Sequence, residues 1–110
     1  MTDHRKLVRD KIPALIRSEG RAPVVERLAG SALRTALLDE LVEEAAEAAA
    51  ATEAELPEEL ADVLEVIGAL ARRLGLSMSD VVALADDKRE RRGGFDHGLL
   101  LVSADSAVQP

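Results

Sequence analysis

Apolar residues recur every three or four positions through most of the chain, a spacing that predicts helices. Leu33, Leu37 and Leu41 begin one stripe, which continues by the same steps to positions 44/45 and 48. Leu60, Val63, Ile67, Leu70 and Leu74 form a second stripe, with Val66 at its edge. Ser31 is a good N-cap for the first helix, which should run to about Ala51. Thr52 and Glu55 have the spacing of a capping box, and Pro57 fits the opening turn of the next helix. That helix should cover residues 57–74 and stop at Gly75. So short a link predicts antiparallel neighbours.

The flanks are read the same way. Leu7, Val8, Ile12, Leu15 and Ile16 give an apolar side, and Pro13 suits a first turn. A short helix from about Ile12 to Ser18, stopped by Gly20, follows. Ser77 with Asp80 opens a further helix carrying Val81, Val82, Leu84 and Ala85 to about Arg92, before Gly93-Gly94. Residues 24–28, between Pro23 and Gly30, are too few for a helix and read as a short strand. Residues 99–102 could pair with them. The expected fold is all-α: a small bundle of about four helices around an antiparallel central hairpin, with room for a minor two-stranded ribbon. One domain over residues 1–110 is expected: an arm at 1–30, a helical core at 31–92 and a loose tail at 93–110.

One feature disturbs the pattern. Glu44 continues the first apolar stripe, and Glu47 flanks Ala48. Glu59 and Asp62 lead by steps of three and four into Val66. Residues three apart share a helical face, with Cβ atoms about 5–6 Å apart. A lone buried carboxylate is costly, and four together repel unless cations neutralise them. Two divalent ions would match the four charges. The plain alternative is a solvated acidic face, since E-x-x-E arises by chance in helices rich in Glu and Ala.

Composition narrows the field. The net charge of −7 disfavours nucleic acid as a partner, because such binding needs a basic surface. Small phosphorylated ligands stay open, because a bound metal reverses the local sign and basic residues cluster at both flanks. One cluster is Lys6, Arg9 and Lys11, beside Asp10. The other is Lys88, Arg91 and Arg92, at a helix C-terminus where cations are favourable for dipole reasons alone. Either group is a solvated feature or a phosphate-facing one. The absence of Cys excludes disulfide and thiolate chemistry. No apolar run reaches the length of a membrane span, and the opening MTDHRKLVRDK lacks a signal-peptide core, so a cytoplasmic protein is expected. Phe95 is the one aromatic residue, so stacking on a base would rest on Phe95 or His97. Much of the 47% apolar content is Ala, and a lone 110-residue bundle would bury little; a homodimer or homotetramer is the expectation. A di-iron carboxylate bundle would need Glu-x-x-His on two helices, and His4 and His97 lie off the acidic helices.

The pattern EExxE at residues 43–47, followed by ExxD at residues 59–62, resembles the signature of MazG-type all-α nucleoside triphosphate pyrophosphohydrolases. KLVRDKIP at residues 6–13 and KRERRGGF at residues 88–95 resemble a subgroup described as phosphoribosyl-ATP pyrophosphohydrolase-like. The resemblance implies that Glu44, Glu47, Glu59 and Asp62 hold Mg²⁺, with Mn²⁺ as a substitute. It implies cleavage of the α–β phosphoanhydride of a nucleotide, to monophosphate and pyrophosphate, in a dimer or larger assembly. Such chemistry needs an activated water and cover for phosphate charge, and a carboxylate-held Mg²⁺ supplies both. Glu43 and Glu44 are then the candidates for a catalytic carboxylate. Lys88, Arg91 and Arg92 are the first candidates for the phosphate tail, and Lys6, Arg9 and Lys11 the second. Phosphoribosyl-ATP as substrate, and a non-enzymatic helical dimerisation module, are the competing readings.

Overall fold

The structure is a computed structural model, and it describes residues 5–105. Four helices follow in order: α1 (Ile12–Ser18), α2 (Gly30–Ala50), α3 (Leu56–Arg73) and α4 (Met78–Arg92). Residues 5–78 and 79–105 form two compact units. In the first unit α2 and α3 pack on one another, and α1 packs against neither.

The central pair is an antiparallel hairpin. Its chain reverses within residues 51–55, and at the far end Arg73 Nη2 donates to the Gly30 carbonyl at 3.3 Å. The reversal is fixed by a reciprocal capping box. Thr52 N–H donates to Glu55 Oε1 at 3.1 Å, and Glu55 N–H donates back to Thr52 Oγ1 at 3.3 Å. The box closes one turn ahead of α3, whose first turn contains Pro57 with Glu58 and Glu59, placed well for the helix dipole. At the other end Gly75 adopts φ +77°, and its N–H bonds to the Arg72 carbonyl while Leu76 N–H reaches Ala71. This is a Schellman stop, which needs a left-handed residue and so favours glycine. Gly20 ends α1 in the same way, its N–H on Arg17 and that of Arg21 on Ile16.

Leu37 on α2 and Val66 and Ala71 on α3 are the buried apolar residues. Gly68 is buried too: a Cβ there would come within 3.1 Å of Arg72 Nη1 and 3.3 Å of Met78 Cε. Three sequence expectations need correction. Leu60 and Leu74, assigned to the buried stripe of α3, are 55% and 67% exposed, and Val66, assigned to its edge, is at the centre. The buried positions of α3 are Val66, Gly68 and Ala71 rather than its largest apolar residues, and the close neighbours of Gly68 are Arg72 and Met78. Ser31 is not the N-cap of α2. The helix starts at Gly30, and Ala29 stands at the cap without a side-chain bond. The ribbon is also absent: among the described residues there is no strand. Val24 is 90% exposed and Leu99 89%, so neither segment has the half-buried surface that stabilises pairing.

Leu37→Ala is expected to destabilise the protein by about 2–5 kcal/mol, since it opens a cavity in a very small core. Thr52→Ala should cost only about 1 kcal/mol, because its cap is exposed. Thermal unfolding of the two variants, at roughly 4–8 °C per kcal/mol, separates these effects.

Candidate metal centre

Two turns beyond Leu37, toward the loop, α2 presents Glu44 to the hairpin seam. Two turns and one turn before Val66, α3 presents Glu59 and Asp62 to the same seam. Each of these three carboxylates offers an oxygen, and the three oxygens lie within 4.8 Å of one another; all three residues are half-buried. The phase of each helix dictates this. Residues 37 and 44 are two turns apart on α2, and 59, 62 and 66 share a face of α3.

The electrostatics of the group are severe. Glu44 Oε2 and Glu59 Oε2 are closed to solvent and have no hydrogen-bond partner. Burial raises the Glu44 carboxyl above its ordinary range, helped by the charge of Glu47, a hydrogen bond shared with Glu47, and the charges of Asp62 and Glu40. Burial also raises Glu59, followed by the charges of Glu47 and Asp62 and then of Glu55 and Glu58. Desolvation and like charge thus act in the same direction on both.

Of the acids singled out in the sequence, Glu47 lies outside the group of three. It is solvent-exposed and acts on Glu44 and Glu59 through its charge. Glu43 turns to a different partner: Lys6 Nζ donates to Glu43 Oε1 at 2.8 Å and to Glu40 Oε1 at 3.0 Å. These bonds, Glu43 first, hold the Lys6 ammonium well above its usual range. Glu40 was not among the sequence candidates. Its spacing of four from Glu44, on the same stripe, was the available signal, and its side chain is only 12% exposed.

The N-terminal cations divide. Lys6 joins α2 as described. Arg9 Nη2 donates to Asp62 Oδ1 at 2.7 Å, which puts a guanidinium on a member of the cluster. Lys11 is exposed at the N-cap of α1. An open cavity of about 300 Å³ lies between residues 5–7 and α2, with Lys6 on one wall and Asp39, Glu40 and Glu43 on the other. Lys88, Arg91 and Arg92 belong to the second unit, where all three are exposed, and Arg91 pairs with Asp87 one turn back at 3.0 Å.

The donor set fits a hard divalent cation. It is all oxygen, it brings three carboxylates together, and two of its oxygens are shielded without any proton donor to satisfy them. A thiophilic metal has no ligand here, since the chain has no Cys.

Among the described residues, no helix is long and apolar enough to cross a membrane. No curated protein and no solved structure gives a significant match to the chain. Residues 31–94, which cover nearly all of α2 with α3 and α4 and carry all five acids of the two motifs, match the MazG nucleotide pyrophosphohydrolase domain. That match covers more than half of the chain, which therefore belongs to the MazG nucleotide pyrophosphohydrolase family.

Proposed function

We propose that the protein is a Mg²⁺-dependent pyrophosphohydrolase that cleaves the α–β phosphoanhydride of a nucleoside or deoxynucleoside triphosphate, giving the monophosphate and pyrophosphate. The observation that carries this reading is the convergence of Glu44, Glu59 and Asp62, with two shielded oxygens that no donor satisfies. Those three residues would hold Mg²⁺ or Mn²⁺, with Glu47 as the fourth carboxylate beside Glu44. When bound, the ion lowers the pKa of water and polarises phosphate oxygens.

The chain's own residues supply the rest. Glu47, the exposed carboxylate of the set, is our choice to take the proton of the attacking water, with Glu44 as the alternative. Glu43 is engaged by Lys6 and serves to orient that ammonium. Arg9, which pairs with Asp62, and Lys6, three residues before it, are the first choice for the phosphate tail, Arg9 having the fork suited to bidentate contact. Lys11, Lys88, Arg91 and Arg92 are further candidates for the same role. The protein works as a homodimer or homotetramer. The support is Val42 on α2 and Leu60 and Leu64 on α3, all more than half exposed on a hairpin whose own core is small.

The direct test is pyrophosphate release from a panel of NTPs, dNTPs and phosphoribosyl-ATP with Mg²⁺ or Mn²⁺. Turnover is expected on at least one free triphosphate. Glu44→Gln and Asp62→Asn should each lower kcat/KM by no less than the roughly 10–100-fold that loss of an outer-shell partner costs. Release without added divalent ion, or full activity in both variants, would falsify the reading.

Metal should also be visible in stability. At about ten times its Kd, one ion contributes roughly 1.4 kcal/mol, or about 5–10 °C for a domain of this size. In the metal-free protein the sign with pH follows from the raised carboxyls. Folded Glu44 and Glu59 keep protons that the unfolded chain has already released, so stability falls as pH climbs above the ordinary glutamate value of about 4.5. Glu55, held below that value by its bonds to Thr52, has the opposite sign, and its contribution is lost as pH falls. The Tm of the metal-free wild type should therefore decline more steeply as pH rises above about 4.5 than that of Glu59→Gln, and saturating Mg²⁺ should remove the difference.

Self-association is read by sedimentation. Wild type should run as a dimer or larger, and Leu64→Glu should shift it toward monomer; a monomeric wild type would refute this part.

A further inference from the structure

The N-terminal segment ahead of α1 is tied to the hairpin by charge. Residues 5–9 have no regular secondary structure, and α1 packs against neither long helix. Lys6 holds Glu40 and Glu43, neither of which belongs to the clustered group. Arg9 holds Asp62, which does. The two cations are three residues apart, so one short segment is anchored at one point and rests on the cluster at the other.

Building on the metal reading above, we propose that this segment is a cationic strap. Arg9 occupies Asp62 in the metal-free protein, competes there with the divalent ion, and on release transfers its guanidinium to the phosphates of the nucleotide. Lys6 stays on Glu40 and Glu43 and keeps the segment in place.

Charge decides the order of events. In the metal-free state Arg9 offsets one of three crowded carboxylates, and its pair with Asp62 is favourable. A divalent ion at the same carboxylates repels the guanidinium and weakens that pair. A polyphosphate then brings negative charge that favours guanidinium over any carboxylate already shared with a metal. Nucleotide and metal are thereby coupled through Arg9, and the coupling is reciprocal. Arg9 and Asp62 are 60% and 40% exposed at their side chains, so the pair is weak enough to exchange. A fully buried pair would not be.

The test is Mn²⁺ binding to the full chain, by calorimetry and by loss of the free-ion paramagnetic signal, without nucleotide. Binding of a non-hydrolysable triphosphate analogue at saturating Mn²⁺ is measured alongside. For Arg9→Gln the two affinities should move in opposite directions. Mn²⁺ should bind about threefold tighter, the scale of an exposed ion pair, and the analogue several-fold more weakly. Arg9→Lys keeps the charge and loses the fork, so Mn²⁺ should bind nearly as in wild type and the analogue more weakly. If Arg9→Gln binds Mn²⁺ no tighter than wild type, or if both affinities fall together, Arg9 merely positions Asp62 and the strap is wrong. If Arg9→Gln fails to fold, Arg9→Lys decides alone, and undiminished analogue binding there overturns the proposal. A wild type that binds no Mn²⁺ overturns the metal reading itself, which keeps the two failures distinct.

Discussion

Three carboxylates share the seam of a two-helix hairpin, and that crowding is the constraint the first unit is built around. Two of them have an oxygen closed to water, and burial and like charge push both above their ordinary titration range. A seam with such a group in its middle would splay. The chain avoids this by dividing the hairpin lengthwise. The buried apolar residues Leu37, Val66 and Ala71 lie farther from the loop, and the acids lie nearer to it. Glu44 is seven residues beyond Leu37, roughly 10 Å along the axis, so the packing that holds the helices together is not disturbed by the charges. The capping box in the link and the Arg73 bond to Gly30 pin the two ends of the hairpin independently of either half.

Local structure was largely legible in the sequence, because it is written in local chemistry. Pro13 and Gly20 bracket α1 as the spacing predicts, Thr52 and Glu55 bond as a box, and Gly75 stops α3. The phase of α3 was less legible. Leu60 and Val66 are six residues apart, about 1.7 turns, and so lie on different faces; a stripe drawn through the bulkiest residues drifted away from the buried side. Gly68 and Ala71 carry little weight in a hydrophobicity count yet are buried. Ser31 failed as a cap because the helix begins one residue earlier, at a glycine with φ +57°.

Site chemistry was legible where the helical period carries it. Glu44 interrupts an apolar stripe, and Glu59 and Asp62 lead into Val66; those interruptions are the residues that converge. The cations were not assignable. Lys6 meets Glu43 across 37 positions and Arg9 meets Asp62 across 53. No single-sequence periodicity reports a contact between an irregular segment and a helix so far along the chain. A charged N-terminal stretch reads equally as solvated tail or as ligand-facing arm until its partners are seen. Glu40 was passed over for a related reason: it belongs to neither motif, and its role as an anchor exists only because Lys6 reaches it.

The contrast among the acids argues against treating the cluster as a solvated face. Glu43 and Glu40 share a lysine, Asp87 and Glu65 have arginines one or two turns away on their own helices, and Glu55 accepts from Thr52. Each of these carboxylates meets a donor. Glu44 Oε2 and Glu59 Oε2 meet none, although they are the most shielded from water. A surface patch shows the reverse order, with its least satisfied oxygens facing the solvent that satisfies them. Unmet demand of this kind suits a group of carboxylates that could hold a metal ion. Arg9 does reach the group, through a half-exposed pair with Asp62.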